Sequence, residues 1–175
     1  MNKIVLIIMI CLGGIGTMQS QTRAERKQQK EEKANIDYSA AKTLIESGTY
    51  SFEAIWANPS GGTRFSLIGN PNYLRVDNNN AAGFFPYFGV LHSLTNYGRT
   101  SAGIEFDSSI ENYKVDFNDK KRKITVKFRS RNKSEWFDVI VKVYANSSAF
   151  VSITGSNRNN MSYDGQITKL EEINN

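Results

Sequence analysis

Two acidic residues at spacing two, Glu105 and Asp107 in GIEFDSS, hold the most explicit chemical possibility in the chain. On an extended strand they point to the same side. A carboxyl pair about 5 to 10 Å apart across a cleft can cleave a glycosidic bond, one group as acid and the other as base or nucleophile. The same spacing also marks the wet face of a half-buried sheet, where no partner is needed. His92, the single histidine, sits beside Ser93 in VLHSLTN. A catalytic triad needs an imidazole held by an acid and facing a nucleophile, and no such framework surrounds it. Zinc sites draw on several His or Cys ligands, and no D-x-[DN]-x-[DN]-G calcium loop occurs. These patterns name no catalytic residue, no metal site and no cofactor.

Binding chemistry has better candidates. SNRNNMSYDG, residues 156–165, contains Arg158, whose guanidinium offers five donors in a planar fork. Asn159 and Asn160 adopt αL readily and bond their own backbone, which favours a tight reversal. Two arrangements are open. In the first the loop is a latch: Tyr163 packs inward, and Arg158 bonds carbonyls or a carboxylate near NPNY (70–73) to close the sheet. In the second, Arg158, Tyr163, Asn72 and Tyr73 line a polar mouth that holds a ligand. FFPYFG, residues 84–89, adds Tyr87 and Phe88. Exposed at a rim, its aromatics form a binding platform; turned inward, they fill the core, each burying roughly 150 to 250 Å². The candidate ligand-binding residues are therefore Asn72, Tyr73, Tyr87, Phe88, Arg158 and Tyr163. Lys120, Lys121, Arg122 and Lys123 fall at a hairpin tip, where they suit anionic headgroups or acidic glycans. They equally keep the hairpin soluble and block edge pairing.

These residues need elements to hold them. Residues 1–20, MNKIVLIIMICLGGIGTMQS, place a lysine before an apolar run from Ile4 to Leu12 and then small and polar residues. This is the pattern of a secretory signal peptide, with cleavage expected after Ser20. The run is too short to span a bilayer, which takes roughly 20 residues. Cys11 raises lipid attachment as an alternative, which the bulky Ile10 before it disfavours. Loss of the leader removes the only cysteine, and with it any disulfide or thiolate chemistry. About 155 residues remain, enough for one domain that buries roughly 70% of its unfolded surface. Lys and Arg number 22 against 17 Asp and Glu, a net charge of +5, with both signs interspersed. A nucleic-acid binder gathers its basic residues on one face, so nucleic acid is not an expected partner.

Residues 21–34 read as a charged lead-in with little to bury. Ala34, Tyr38, Ala41 and Ile45 then recur at helical spacing, with Leu44 beside them, predicting one amphipathic helix from Asn35 to Ser47. Gly48 stops it. Beyond Gly48 the period is two. In TYSFEAIW, Tyr50, Phe52, Ala54 and Trp56 share a face, and shorter strands follow at RFSLI, NYLRV and AAGFFPYF, the last ended or confined to an edge by Pro86. After a polar loop at 89–101, alternating strands at 113–117, 124–128, 137–143 and 149–153 make an antiparallel meander. A final strand spans 162–170. Roughly nine or ten short strands on a single sheet favour closure, because an open sheet would leave two unpaired edges. The expected fold is mainly β: an antiparallel up-and-down barrel or half-barrel over residues 35–175, with the N-terminal helix packed over one opening. A two-sheet sandwich is the alternative.

NPNYLRV (70–76), PYFGV (86–90), GIEFDSSIENYKVDFNDKKRKITVKF (103–128) and SNRNNMSYDGQI (156–167) resemble, in order and spacing, the secreted Bacteroidetes proteins grouped as domain of unknown function 4251. The matching positions are Asn70, Pro71, Asn72 and Tyr73, then Pro86, Tyr87, Phe88 and Gly89, and finally Asn157, Arg158, Ser162, Tyr163 and Gly165. Asn159 and Asn160 depart from the pattern, which has serines there. The resemblance implies a lipocalin-like β-barrel in the periplasm or on the surface of a Gram-negative cell, and brings no assigned activity. The expected function is a non-enzymatic binding or structural role in the cell envelope, as a monomer. Its partner would be a small molecule, lipid, glycan or envelope protein. A carboxylate-dependent hydrolase of envelope glycans is the alternative. No transmembrane segment is expected in the mature chain.

Overall fold

The helix begins where a side chain can satisfy its first amides. Glu25 Oε2 accepts from the Thr22 amide at 2.8 Å, and Thr22 Oγ1 accepts from the Glu25 amide at 3.3 Å. This is the capping box of a T-x-x-E sequence. Helix α1 accordingly runs Arg23–Glu46, starting well ahead of the Asn35 expected from the apolar stripe. The computed structural model describes residues 22–89 and 103–171, and the chain divides into two compact units, Met1–Glu32 and Lys33–Asn175. The expected leader with Cys11, and the loop histidine His92, lie outside the described residues.

In the second unit, α1 buries Tyr38, Ala41 and Ile45, the residues its periodicity selected. The strands are β1 Thr49–Pro59, β2 Phe65–Ser66, β3 Tyr73–Asp77, β4 Asn80–Phe85, β5 Ile104–Ser109, β6 Glu111–Asn118, β7 Lys123–Arg131, β8 Trp136–Tyr144, β9 Ser148–Gly155 and β10 Met161–Lys169. They form one antiparallel path in the order β5-β4-β3-β1-β10-β9-β8-β7-β6, with β2 added to β1. The result is a nearly closed barrel-shaped sheet, which sets aside the two-sheet sandwich. As Pro86 requires, β4 ends at Phe85.

The closure is made by a change of partner. β5 and β6 follow one another through Ile110, yet β5 pairs β4 and β6 pairs β7. Across the seam the ladder is replaced by side chains. Ser108 Oγ lies 2.9 Å from Ser130 Oγ and accepts from the Arg131 amide at 3.1 Å, and Asn132 Nδ2 donates to the Glu105 carbonyl at 2.8 Å. Elsewhere α1 meets the β6–β7 connection: the Tyr38 hydroxyl donates to Asp119 at 2.8 Å, and Arg122 Nε donates to Asn35 Oδ1 at 2.7 Å. The cationic hairpin tip is thus partly engaged with the helix.

β1 departs from strict alternation. Its register against β10 shifts between Ala54 and Trp56, so Tyr50, Phe52, Ala54 and Ala57 are buried while Trp56 is only half-buried. Trp56 therefore leaves the face that plain alternation assigns it, because the bulge at Ile55 flips every later residue. Inside the barrel, Phe85 stacks on Tyr163 at 4.6 Å and tilts against Phe52 at 6.2 Å. These rings fill the interior with side chains.

Candidate functional site

The loop at 156–160 joins β9 to β10, and Arg158 is buried at its centre. Its Nε donates to both oxygens of Glu135 at 3.0 Å, Nη2 donates to Oε2 at 2.7 Å, and Nη1 donates to the Gly103 carbonyl at 2.9 Å. Both side chains are almost out of solvent, at 7% and 3% exposure. The guanidinium also lies 4.9 Å from the Tyr87 ring centroid and 5.6 Å from that of Phe137. Glu135 is aimed by the turn that precedes β8: Asn132 Oδ1 accepts from the amides of Ser134 and Glu135, each at 2.9 Å. Room for the pair comes from Gly155, where a methyl group would overlap Glu135 Oε1 and crowd Arg158 Cγ. The Asn157 amide adds a bond to Glu135 Oε1 at 3.2 Å. Arg158 therefore bonds a carboxylate and a carbonyl, as a latch requires, but both lie away from NPNY.

Asn72 does a different task. Its register position continues β3 opposite Ala54, where the bulge interrupts β1. Oδ1 accepts from the Ala54 amide at 2.7 Å and Nδ2 donates to the Ala54 carbonyl at 3.0 Å. One carboxamide thereby supplies both bonds that a strand neighbour would have made. Tyr163 is fully buried and donates to the Pro86 carbonyl at 2.7 Å. Tyr87 is buried and its hydroxyl donates to the Asn159 carbonyl at 3.3 Å. Tyr73 sits on the outer wall, stacked on Phe84 at 6.2 Å with the Arg75 guanidinium 4.4 Å over its ring. The structure brings Tyr87, Arg158 and Tyr163 together at one end of the barrel, while Asn72 is taken up by Ala54 and Tyr73 faces outward.

Phe88 is the most exposed of the candidates, at 42%, and it stacks on Phe65 at 4.5 Å. Phe65, at 41%, was not singled out by sequence. The two rings wall a recess of about 340 Å³ with Pro59, the Ser60–Thr63 turn, Asn159 and Asn160. Asn160 is held there by Nδ2 bonds to Ser152 Oγ at 2.8 Å and Thr154 Oγ1 at 2.9 Å, and its carbonyl accepts from Ser60 Oγ at 2.6 Å. The FFPYFG segment is thus divided: Phe85 and Tyr87 go inward, Phe84 and Phe88 outward.

Glu105 and Asp107 are exposed on β5 and line a groove of about 610 Å³ at the seam, together with Arg131 and Lys133. The other wall of that groove is cationic and supplies no opposed carboxyl. A larger depression of about 940 Å³ lies by Thr49, Arg75, Asp77 and residues 168–171. It has no aromatic lining, and its charges include both signs. Among the described residues no group of three or more His, Cys, Asp or Glu side chains could hold a metal ion.

The buried phenols respond to pH. Burial pushes Tyr38 up from 10.0 to about 12, reinforced by its bond to Asp119. Burial likewise raises Tyr50 and Tyr163 well above the ordinary value. Both folded and unfolded chains hold these protons at neutral pH, so the stabilisation is complete there. Above pH 10.0, the unfolded value of the Tyr38 phenol, the unfolded chain ionises first and stability falls. Alkaline titration followed by phenolate absorbance is expected to show exposed tyrosines ionising reversibly, and the buried ones only as the fold is lost.

A comparison with proteins of curated function returns no match. Among solved structures, the chain is similar to a crystal structure of a DUF4251 family protein from Bacteroides eggerthii, with a TM-score of 0.59 at 17% identity over 77% of this chain and 89% of that one. That similarity supports the fold alone. Among the described residues, no helix is long and apolar enough to cross a membrane. The family described as Domain of unknown function (DUF4251) matches residues 21–167, and the chain belongs to it.

Proposed function

We propose that the protein is an exported, non-enzymatic binding domain of the bacterial cell envelope, acting as a monomer, with the recess between Phe65 and Phe88 as its contact surface. The observation that carries this reading is the stacked pair itself: two phenylalanines stay about 40% exposed and together wall a recess, while Tyr87 and Tyr163 behind them are buried. Leaving such rings in water forfeits burial worth roughly 1.5 to 3 kcal/mol for a fully buried side chain. A ligand that covers them restores that gain. The recess joins aromatic faces to loop asparagines and hydroxyls, a lining suited to a ring with one apolar face and polar edges, as in a glycan or a small amphiphile. Export is supported by the leader pattern of residues 1–20. Arg158 and Tyr163 serve as the frame behind the recess. Hydrolysis by Glu105 and Asp107 is the weaker reading, since both acids leave the same strand and face cations.

Native mass spectrometry of protein purified from its own host tests the proposal. A small molecule, lipid or glycan is expected to be retained, and Phe88→Ala is expected to lose it while the melting temperature stays within about 4 °C of the parent. A clean apo chain in both proteins sinks the reading.

A further inference from the structure

The first eleven or so positions of α1 bury nothing: residues 23–33 are exposed throughout. At about 100° per residue, Arg23, Arg26, Lys27 and Lys30 fall within an arc of roughly 100° on one face. Glu25 and Glu32 lie on the opposite face, and Glu25 is occupied with the Thr22 cap. Glu31 borders the cationic arc beside Lys27. The arrangement does little for the helix itself. Arg23 stands at like-charged spacing from Arg26 and Lys27, and Lys30 from the same two residues, and each such neighbour costs an isolated helix a few tenths of a kcal/mol. Of the four cations only Lys27 has a glutamate three or four residues away, Glu31; a helix built only for solubility would pair the others in the same way.

We propose that this face is an electrostatic docking stripe for an anionic phospholipid surface. A sheet of phosphate headgroups relieves the repulsion along the whole row at once, and the positive end of the helix dipole adds to the attraction. The residues from Arg23 to Lys30 include no large apolar side chain, so the helix lies on the headgroups without inserting. Binding is therefore salt-sensitive, weakening as the screening length shortens.

The test is sedimentation of the full chain, as recovered from its host, with vesicles of phosphatidylethanolamine with and without phosphatidylglycerol. The chain is expected to bind the phosphatidylglycerol vesicles more tightly and to be released from that excess by salt. Lys27→Gln with Lys30→Gln is expected to weaken the phosphatidylglycerol-dependent partition by about 25-fold, at about fivefold per cation. Lys120→Gln with Lys121→Gln, which removes the same charge from the hairpin tip, is expected to leave it unchanged. Equal binding to both vesicles, an equal loss in the hairpin variant, or retention only on an acidic polysaccharide such as heparin would overturn the proposal.

Discussion

Arg158→Ala is expected to lower the unfolding free energy by about 3 to 5 kcal/mol, because it strands the Glu135 carboxylate in the protein interior. Glu135 is 4% exposed and takes three of the contacts that the guanidinium makes, and Gly103 loses its bond as well. For a domain of this size the midpoint of thermal unfolding should fall by roughly 6 to 20 °C. Removing both charges separates the pair's own worth from the cost of the orphan. Arg158→Met combined with Glu135→Leu is expected to recover much of the loss, since a well-packed apolar replacement of a buried ion pair is often neutral or stabilising. Differential scanning calorimetry of the single and double variants measures this. An unchanged midpoint for Arg158→Ala would show that the loop is no latch.

Gly165→Ala is the second large effect. Gly165 sits opposite Ala54, where a methyl group would overlap the Glu53 carbonyl oxygen and press to 2.8 Å on Ala54 Cα. These are backbone atoms, so no rotamer change relieves the overlap, and β1 and β10 must separate at the bulge. Overpacking of a flexible core costs about 1 to 3 kcal/mol; with a rigid neighbour the expected loss is at the upper end of that range or above it. Urea unfolding should show a lower midpoint with little change in slope. A wild-type midpoint would mean that the two strands do not approach so closely.

Most of the barrel was legible because alternation is a local property. The faces Ile124, Val126, Phe128 and Val139, Val141, Val143 follow from period two alone, and all six are buried. Phe85 and Tyr87 inside with Phe84 and Phe88 outside obey the same rule, although the density of aromatics in FFPYFG hid it. Trp56 was misplaced because the bulge depends on Asn72 and Gly165, which come from distant parts of the chain. The early helix start was legible in T-x-x-E, a signal independent of the apolar stripe. Glu135 was the partner that sequence could not single out. It stands 23 residues from Arg158 in an ordinary-looking NKSE turn, and only the folded sheet brings the two loops together. Phe65 escaped for the same reason, since its stacking on Phe88 spans the barrel end.

The pairing of β1 with β10 has a consequence for how the chain reaches its native state. The hairpins from β6 to β10 join near neighbours and can form as soon as each turn exists. β1, made early during synthesis, has its longest ladder with β10, the last of the described strands to emerge. Tyr50, Phe52 and Ala54 must therefore wait uncovered while the remainder of the polypeptide arrives, and the ring of strands is completed only at that late, entropically costly step. A newly made chain is in this interval most exposed to association with its neighbours.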